Sequence, residues 1–159
     1  MIHVHTYEKW WIVLTIIMLV AFMGAISISA FAGGIQVPAP FEKVDPKTIA
    51  KTAPFDNPGL RELSPGKYEA YILAQASPWK FYPSEIQVPV GATVTFYVTS
   101  VDVQHGFKIQ DTNINMQILP GQVSKLTYTF TKAGEFPYIC AEYCGVGHQN
   151  MFGKIIVGP

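Results

Sequence analysis

The stretch CAEYCGVGHQNMFG, residues 140–153, contains the only two cysteines of the 159-residue chain. Cys140 and Cys144 are followed by His148 and Met151, in the spacing C-x-x-x-C-x-x-x-H-x-x-M. Soft sulfur ligands combined with an imidazole favour copper, and a thioether is a poor ligand for zinc or iron. The stretch therefore predicts a copper site near the C-terminal end of the chain.

The sequence around this stretch has the pattern of a β protein. In TVTFYVTS, residues 93–100, Val94, Phe96 and Val98 alternate with other residues, as in a strand with one buried face. Similar short segments, separated by Gly and Pro turns, recur from residue 67 onward. The expected strands are 67–75, 85–90, 93–100, 107–110, 114–119, 125–130, 135–139 and 154–157. Because no amphipathic helix separates them, the pattern predicts an all-β sandwich or Greek-key barrel with the cysteines in a loop between two strands.

A blue-copper site also needs a histidine from an earlier strand, and VDVQHGFKI, residues 101–109, provides one. His105 is expected at a strand end, where Gly106 lets the backbone bend. Two cysteines in one loop could bridge two copper ions, each with both sulfurs, one imidazole and one weak ligand. Met151 and the backbone carbonyl of Glu142 could supply the weak ligands. A structural disulfide is the alternative, but so short a spacing stabilises little and leaves the histidine and methionine unexplained.

These residues resemble a known family. CAEYCGVGHQNM, with HGF upstream, is similar to the binuclear CuA loop of cytochrome c oxidase subunit II. The resemblance extends over nearly the whole chain to the short subunit II of the B-type haem-copper oxidases. It implies a cupredoxin-like fold and two copper ions bridged by Cys140 and Cys144. His105 and Met151 would complete the ligands of one copper ion.

The resemblance assigns His148 and the carbonyl oxygen of Glu142 to the other copper ion. Better-known short-type relatives carry Gln at position 142, whereas Glu is usual in the larger A-type oxidases, where the carboxylate also contacts magnesium. Whether the Glu142 side chain also binds a magnesium ion therefore stays open. We favour a solvent-facing side chain whose backbone alone binds metal, because no other part of a magnesium site can be recognised in the chain.

The N-terminal part lacks the strand pattern. WWIVLTIIMLVAFMGAISISAFAGGI, residues 10–35, contains no charged residue and exceeds the roughly 20 residues that a helix needs to cross a bilayer. A cleaved signal peptide is the alternative, but its apolar core would have only about 7–15 residues. We therefore expect a transmembrane anchor over residues 1–35, a proline-rich connector over 36–66 that tethers the head domain above the membrane, and the cupredoxin-like CuA domain over 67–159.

The chain carries 11 basic and 11 acidic residues, a balance that argues against nucleic acid as a partner. The resemblance instead implies the electron-entry subunit of cytochrome c oxidase, single-pass in a prokaryotic inner membrane with its copper domain on the periplasmic side. Cytochrome c would be the electron donor. The haems, the reduction of oxygen to water and the pumping of protons would belong to subunit I. A stand-alone membrane-tethered copper carrier is the alternative function.

Two features near the expected site have open roles. WKFY, residues 79–82, is either the end of a core strand or an exposed electron-entry patch. Trp79 is the first candidate for electron entry, and Phe81 and Tyr82 are the alternatives. Asp102, three residues before the ligand histidine, could orient the imidazole or cap a loop.

Overall fold

A computed structural model of the chain describes residues 5–34 and 39–158. The outermost ends of the three predicted segments lie outside the described residues, at 1–4, 35–38 and 159. The chain divides into two compact units, Met1–Ile35 and Gln36–Pro159.

The first unit contains one long apolar helix, α1, Thr6–Ala32. A capping box closes its first turn, because His5 accepts a hydrogen bond from the Tyr7 N–H and Glu8 accepts one from the His5 N–H. None of its side chains is buried within the described structure. Its 27 residues give a length of about 40 Å, which exceeds a hydrocarbon core of about 30 Å. Within the described residues, α1 is the one helix long and apolar enough to be a single-pass membrane anchor.

The second unit contains eleven strands among the described residues. They are β1 Ala39–Lys43, β2 Gly59–Ser64, β3 Lys67–Ala76, β4 Trp79–Tyr82, β5 Glu85–Pro89, β6 Thr93–Ser100, β7 His105–Ile109, β8 Asn115–Ile118, β9 Gln122–Thr129, β10 Gly134–Ile139 and β11 Phe152–Gly158. One sheet has the order β1-β9-β6-β3-β2, with β4 also paired to β3, and the other has the order β5-β11-β10-β7-β8. The predicted all-β sandwich is confirmed.

The space between the two sheets is filled by the alternating apolar residues that the sequence predicted. Val94, Phe96 and Val98 of β6 are fully buried, and Phe96 meets Phe107 of β7 with ring centroids 5.8 Å apart. Tyr138 of β10 also packs against Phe107, with ring centroids 5.0 Å apart. Burying each such side chain contributes about 1.5–3 kcal/mol. This core also includes three residues of the cysteine-rich stretch: Cys140, Cys144 and Met151.

The predicted connector requires a correction, because its described residues, 39–66, pair and pack with the sandwich. β1 pairs with β9 and β2 pairs with β3, so both strands lie at the ends of the first sheet. Between them, Ile49 and Phe55 are buried against Leu73, Tyr97 and Val123, in a cluster separate from the main core. The prolines exclude central strands but permit edge strands, so they do not make this segment a tether.

Candidate metal centre

The ligand loop, residues 140–151, joins β10 to β11 as predicted. The Cys140 N–H donates to the Met151 carbonyl at 3.0 Å, which continues the pairing of the two strands into the loop. A 3₁₀ turn at His148–Asn150 precedes the second strand, and the Met151 N–H closes it on the His148 carbonyl at 3.1 Å. The first and last potential ligands of the loop are therefore fixed at strand ends.

The Cys140 sulfur has three potential ligand atoms around it. Its Sγ is 3.7 Å from the Cys144 Sγ, and both cysteines are free rather than joined in a disulfide. The same Sγ lies 3.8 Å from Nδ1 of His105 and 3.1 Å from the carbonyl oxygen of Glu142. His105 is fully buried at the start of β7, so the remote histidine comes from a strand as predicted.

The Cys144 sulfur has two further potential ligand atoms beside it. Its Sγ is 3.5 Å from Nδ1 of His148 and 3.8 Å from Sδ of Met151. Metal bonds of about 2.0 Å to nitrogen and about 2.3 Å to sulfur separate two ligands of one tetrahedral ion by about 3.5–3.8 Å. These separations therefore fit ligands that share an ion. All six atoms nominated from the sequence come together.

The two thiols differ strongly in their electrostatics. Burial raises the pKa of Cys140, but hydrogen bonds from His105 and from the backbone N–H groups of Gly106 and Glu142 outweigh burial and lower this pKa to about 6. Burial and the adjacent Cys140 sulfur raise the pKa of Cys144 to about 12. A thiolate at Cys140 faces the Glu142 carbonyl oxygen, and two such acceptors repel each other. A soft cation bound by both would remove that repulsion, and this donor set fits copper.

Gly106 determines how closely β7 approaches the ligand loop. A Cβ atom on Gly106 would lie 2.8 Å from the backbone nitrogens of both Ala141 and Glu142. Backbone atoms in a loop pinned at both ends cannot retreat from such a contact at small cost. The sequence predicted a bend at this glycine, whereas the structure requires the glycine for a close approach of two backbones.

The segment WKFY forms β4, antiparallel to β3. Trp79 is half-buried, donates from Nε1 to the Cys144 carbonyl at 3.1 Å, and packs its ring against Gly147. Phe81 is fully buried in the core, so the alternative that it forms part of an exposed patch is wrong. Tyr82 is 37% exposed. The segment is therefore a core strand at Phe81, and its first residue, Trp79, packs against the ligand loop.

Asp102 and Glu142 have different surroundings. Asp102 contacts His105 Nε2 at 3.0 Å and accepts from the Val103 N–H at 2.7 Å, so it both touches the imidazole and caps its own turn. The Glu142 side chain is exposed. Among the described residues, one group of three or more His, Cys, Asp or Glu side chains is close enough to hold a metal ion: His105, Cys140 and Cys144. The Glu142 carboxylate is not part of it.

Three exposed apolar side chains next to the site were not singled out from the sequence. Tyr143 and Val146 of the ligand loop are 78% and 83% exposed, and Phe152, directly after it, is 62% exposed. Their position within or beside the cysteine motif is the only sequence signal that could have identified them, because single exposed apolar residues are ordinary elsewhere.

Comparison with known proteins identifies the family. Residues 74–157 match the family model described as cytochrome c oxidase subunit II, periplasmic domain. The chain is 41% identical over 155 residues to cytochrome c oxidase subunit 2 of Thermus thermophilus, which covers 95% of this chain and 91% of the relative. The chain belongs to the cytochrome c oxidase subunit II family. The family that the sequence resembled is thereby confirmed.

Solved structures agree with this assignment to subunit II. A chain of a haem-copper terminal oxidase dimer, determined by cryo-EM, has a TM-score of 0.77 and 36% identity, over 95% of this chain and 99% of that chain. The periplasmic domain of subunit II from Bradyrhizobium japonicum, at 23% identity and a TM-score of 0.51, shares the fold over 56% of this chain and 82% of that chain. This subunit II is thus the electron-entry subunit of a cytochrome c oxidase, and the stand-alone copper carrier is not favoured.

Proposed function

We propose that the chain holds a binuclear copper centre of the CuA type. Cys140 and Cys144 would bridge the two ions, with His105 and Met151 completing one ligand set and His148 and the Glu142 carbonyl the other. The observation that carries this proposal is the convergence of four other donor atoms on the two unbonded thiols. When bound, such a centre accepts and releases one electron without making or breaking a bond in the protein.

The residues of the chain would keep the geometry of the site nearly constant. His105 is fully buried, Cys140 and Met151 are buried at strand ends, and Cys144 belongs to the same core cluster. Ligands held this firmly move little when the charge of the site changes, and their burial excludes water. Both properties favour fast electron transfer, in which the protein contributes binding, orientation and electrostatics.

The electron donor would be cytochrome c, docking on the end of the sandwich that carries the ligand loop. Tyr143, Val146 and Phe152 form an exposed apolar rim there, and Trp79 connects the surface to the Cys144 carbonyl. We expect electrons to enter through Trp79. One acidic and one basic residue precede residue 36, so ten of each remain beyond it. We therefore expect the rate of cytochrome c oxidation to depend only weakly on ionic strength.

The electron would then pass to a haem of subunit I, where oxygen is reduced to water and protons are translocated. In this proposal α1 lies in the lipid bilayer beside subunit I, in the inner membrane of a prokaryote, and the copper domain lies on the periplasmic side. The apolar surface of α1, none of whose described residues is buried, supports contact with lipid or with other membrane helices.

Copper stoichiometry and electron paramagnetic resonance of the full chain in detergent test the proposal. The copper-loaded chain should bind two ions and give a spectrum in which one unpaired electron couples to two copper nuclei. The matched variant Cys144→Ser retains one thiolate, so we expect it to lose the two-nucleus spectrum. One copper ion with a single-nucleus spectrum in the wild-type chain, or a bond between Cys140 and Cys144 in the metal-loaded chain, would refute the binuclear centre.

A further inference from the structure

The carboxylate of Asp102 is held from several directions beside the buried imidazole of His105. Its Oδ1 lies 3.0 Å from His105 Nε2 and accepts the Val103 N–H at 2.7 Å and the Ser100 hydroxyl at 3.3 Å. Its Oδ2 accepts the N–H of Ala76 at 2.6 Å. The donors come from the end of β3, the end of β6 and the turn before β7. Both oxygens are therefore fixed in place.

We propose that Asp102 is the positioning residue of the metal centre, fixing the His105 ring so that Nδ1 is the atom presented to the thiolates. The inference rests on the proposed copper function. An ionised carboxylate accepts hydrogen bonds and donates none, so the proton of the neutral imidazole belongs on Nε2. The lone pair is then on Nδ1, which faces Cys140 Sγ at 3.8 Å. Partners of this kind fix the orientation and tautomer of ligand histidines.

The second oxygen of Asp102 connects the two ligand segments. Ala76, which donates to Oδ2, pairs across the β3–β4 hairpin with Trp79. Trp79 in turn donates from Nε1 to the carbonyl of Cys144. The same hairpin thus holds the carboxylate behind His105 and the backbone beside the second thiol. Asp102 therefore positions the strand-borne ligand relative to the loop-borne ones as well as orienting a single ring.

Three variants separate position from charge. Asp102→Asn has one acceptor oxygen, so it cannot serve both the Ala76 N–H and His105 Nε2, and it also loses the charge. Asp102→Glu keeps the charge but displaces the carboxylate by one methylene group. Asp111→Asn makes the same chemical change in the exposed turn after β7, where φ is 58°, a conformation that Asn tolerates. It is the matched control for charge.

The first measurement is the affinity of the full chain in detergent for Cu(I), by anaerobic competition with a chromophoric chelator. Asp102→Asn and Asp102→Glu should each lose about 10- to 100-fold in affinity, and Asp111→Asn should match the wild type. Circular dichroism of the metal-free chains establishes that each variant folds. Wild-type affinity in both Asp102 variants would overturn the proposal. Wild-type affinity in Asp102→Glu alone would also overturn it, because charge rather than position would then matter.

The second measurement needs no variant. In the reduced, diamagnetic copper-loaded wild-type chain, the nitrogen-15 spectrum should contain a slowly exchanging proton on Nε2 of His105. A proton on Nδ1, or no protected proton on Nε2, overturns the proposal even if the Asp102 variants do not fold. A wild-type chain that binds no copper at all would instead refute the proposed function, and the stoichiometry reveals this before any variant is compared.

Discussion

The ligand loop and the connector, two irregular parts of the second unit, behave in opposite ways. The loop has one 3₁₀ turn and no strand between Cys140 and Met151, yet its residue spacing predicted which of its atoms would come together. The connector was expected to be a tether, yet it contains β1 and β2. A short motif carries its own information because its ligands must meet at one point. Edge strands depend on partners far away in the sequence.

The register of β1 illustrates that dependence. Ala39 is opposite Lys125 and Lys43 is opposite Gln122, so the partner strand lies about 80 residues further along the chain. Nothing local to a proline-rich segment identifies such a partner. We therefore expect variants of the loop and its contacts to change metal binding, and variants of the connector to change the stability of the second unit. The following variants are ordered from the largest expected effect to the smallest.

Gly106→Ala should abolish copper binding. The new Cβ would displace the backbone of Ala141 and Glu142, which carries a proposed carbonyl ligand and the N–H that reaches the Cys140 sulfur. Overpacking of this kind also costs about 1–3 kcal/mol of folding free energy. Copper stoichiometry and thermal unfolding of the metal-free chain measure both effects.

Gly158→Ala is the matched control for this substitution. Gly158 lies in β11, and a Cβ there would meet no atom within 4 Å. We expect this variant to bind copper as the wild type does. Full copper occupancy in Gly106→Ala would mean that the loop moves to make room for the new Cβ atom. The ligands would then not be held in fixed positions.

Phe55→Ala should destabilise the second unit while leaving the copper spectrum unchanged. Phe55 is 3% exposed and packs edge-on against Tyr71, with ring centroids 5.5 Å apart. Truncation of a buried phenylalanine costs about 3–5 kcal/mol, which denaturant unfolding of the metal-free chain measures.

Leu63→Ala, in the same connector but with Leu63 64% exposed, is the control and should stay within about 0.5 kcal/mol of the wild type. If Phe55→Ala has the same free energy of unfolding as Leu63→Ala and the wild type, the buried contacts of the connector contribute no stability. The segment would then act as a tether. A changed copper spectrum in Phe55→Ala would instead mean that the two regions are coupled.

These two regions also explain how much could be predicted from the sequence. The alternation on β6 predicted the sandwich, and the cysteine motif together with the upstream His105 predicted the six atoms that the structure brings together. The choice between the two roles of Asp102 was not accessible, because Ala76, which holds its second oxygen, lies 26 residues earlier in the chain. Phe81 and Trp79 lie two residues apart on one strand, and only the packing of the sheets distinguishes the core residue from the one on the loop.

The smallest expected effect is a loss of folding stability at alkaline pH, caused by Tyr71 of β3, which packs against Phe55 of the connector. Burial and a hydrogen bond to Glu69 at 2.7 Å raise the pKa of Tyr71 from 10.0 to about 12, and the Arg61 guanidinium of β2 lies 4.8 Å from the ring centroid. Because the pKa is higher in the folded chain, this contribution to stability is complete below about pH 10. It is lost as the pH rises from about 10 to about 12, because the unfolded chain releases its proton first.

Tyr71→Phe should therefore reduce the slope of the unfolding free energy against pH between about 10 and 12. Tyr143→Phe, which removes an exposed hydroxyl group from the ligand loop, is the matched control for the substitution. Equal slopes in Tyr71→Phe and the wild type would mean that folding does not raise the pKa of the Tyr71 hydroxyl group. The connector would then stabilise the second unit through apolar packing alone, and ionisation of Tyr71 would make no contribution.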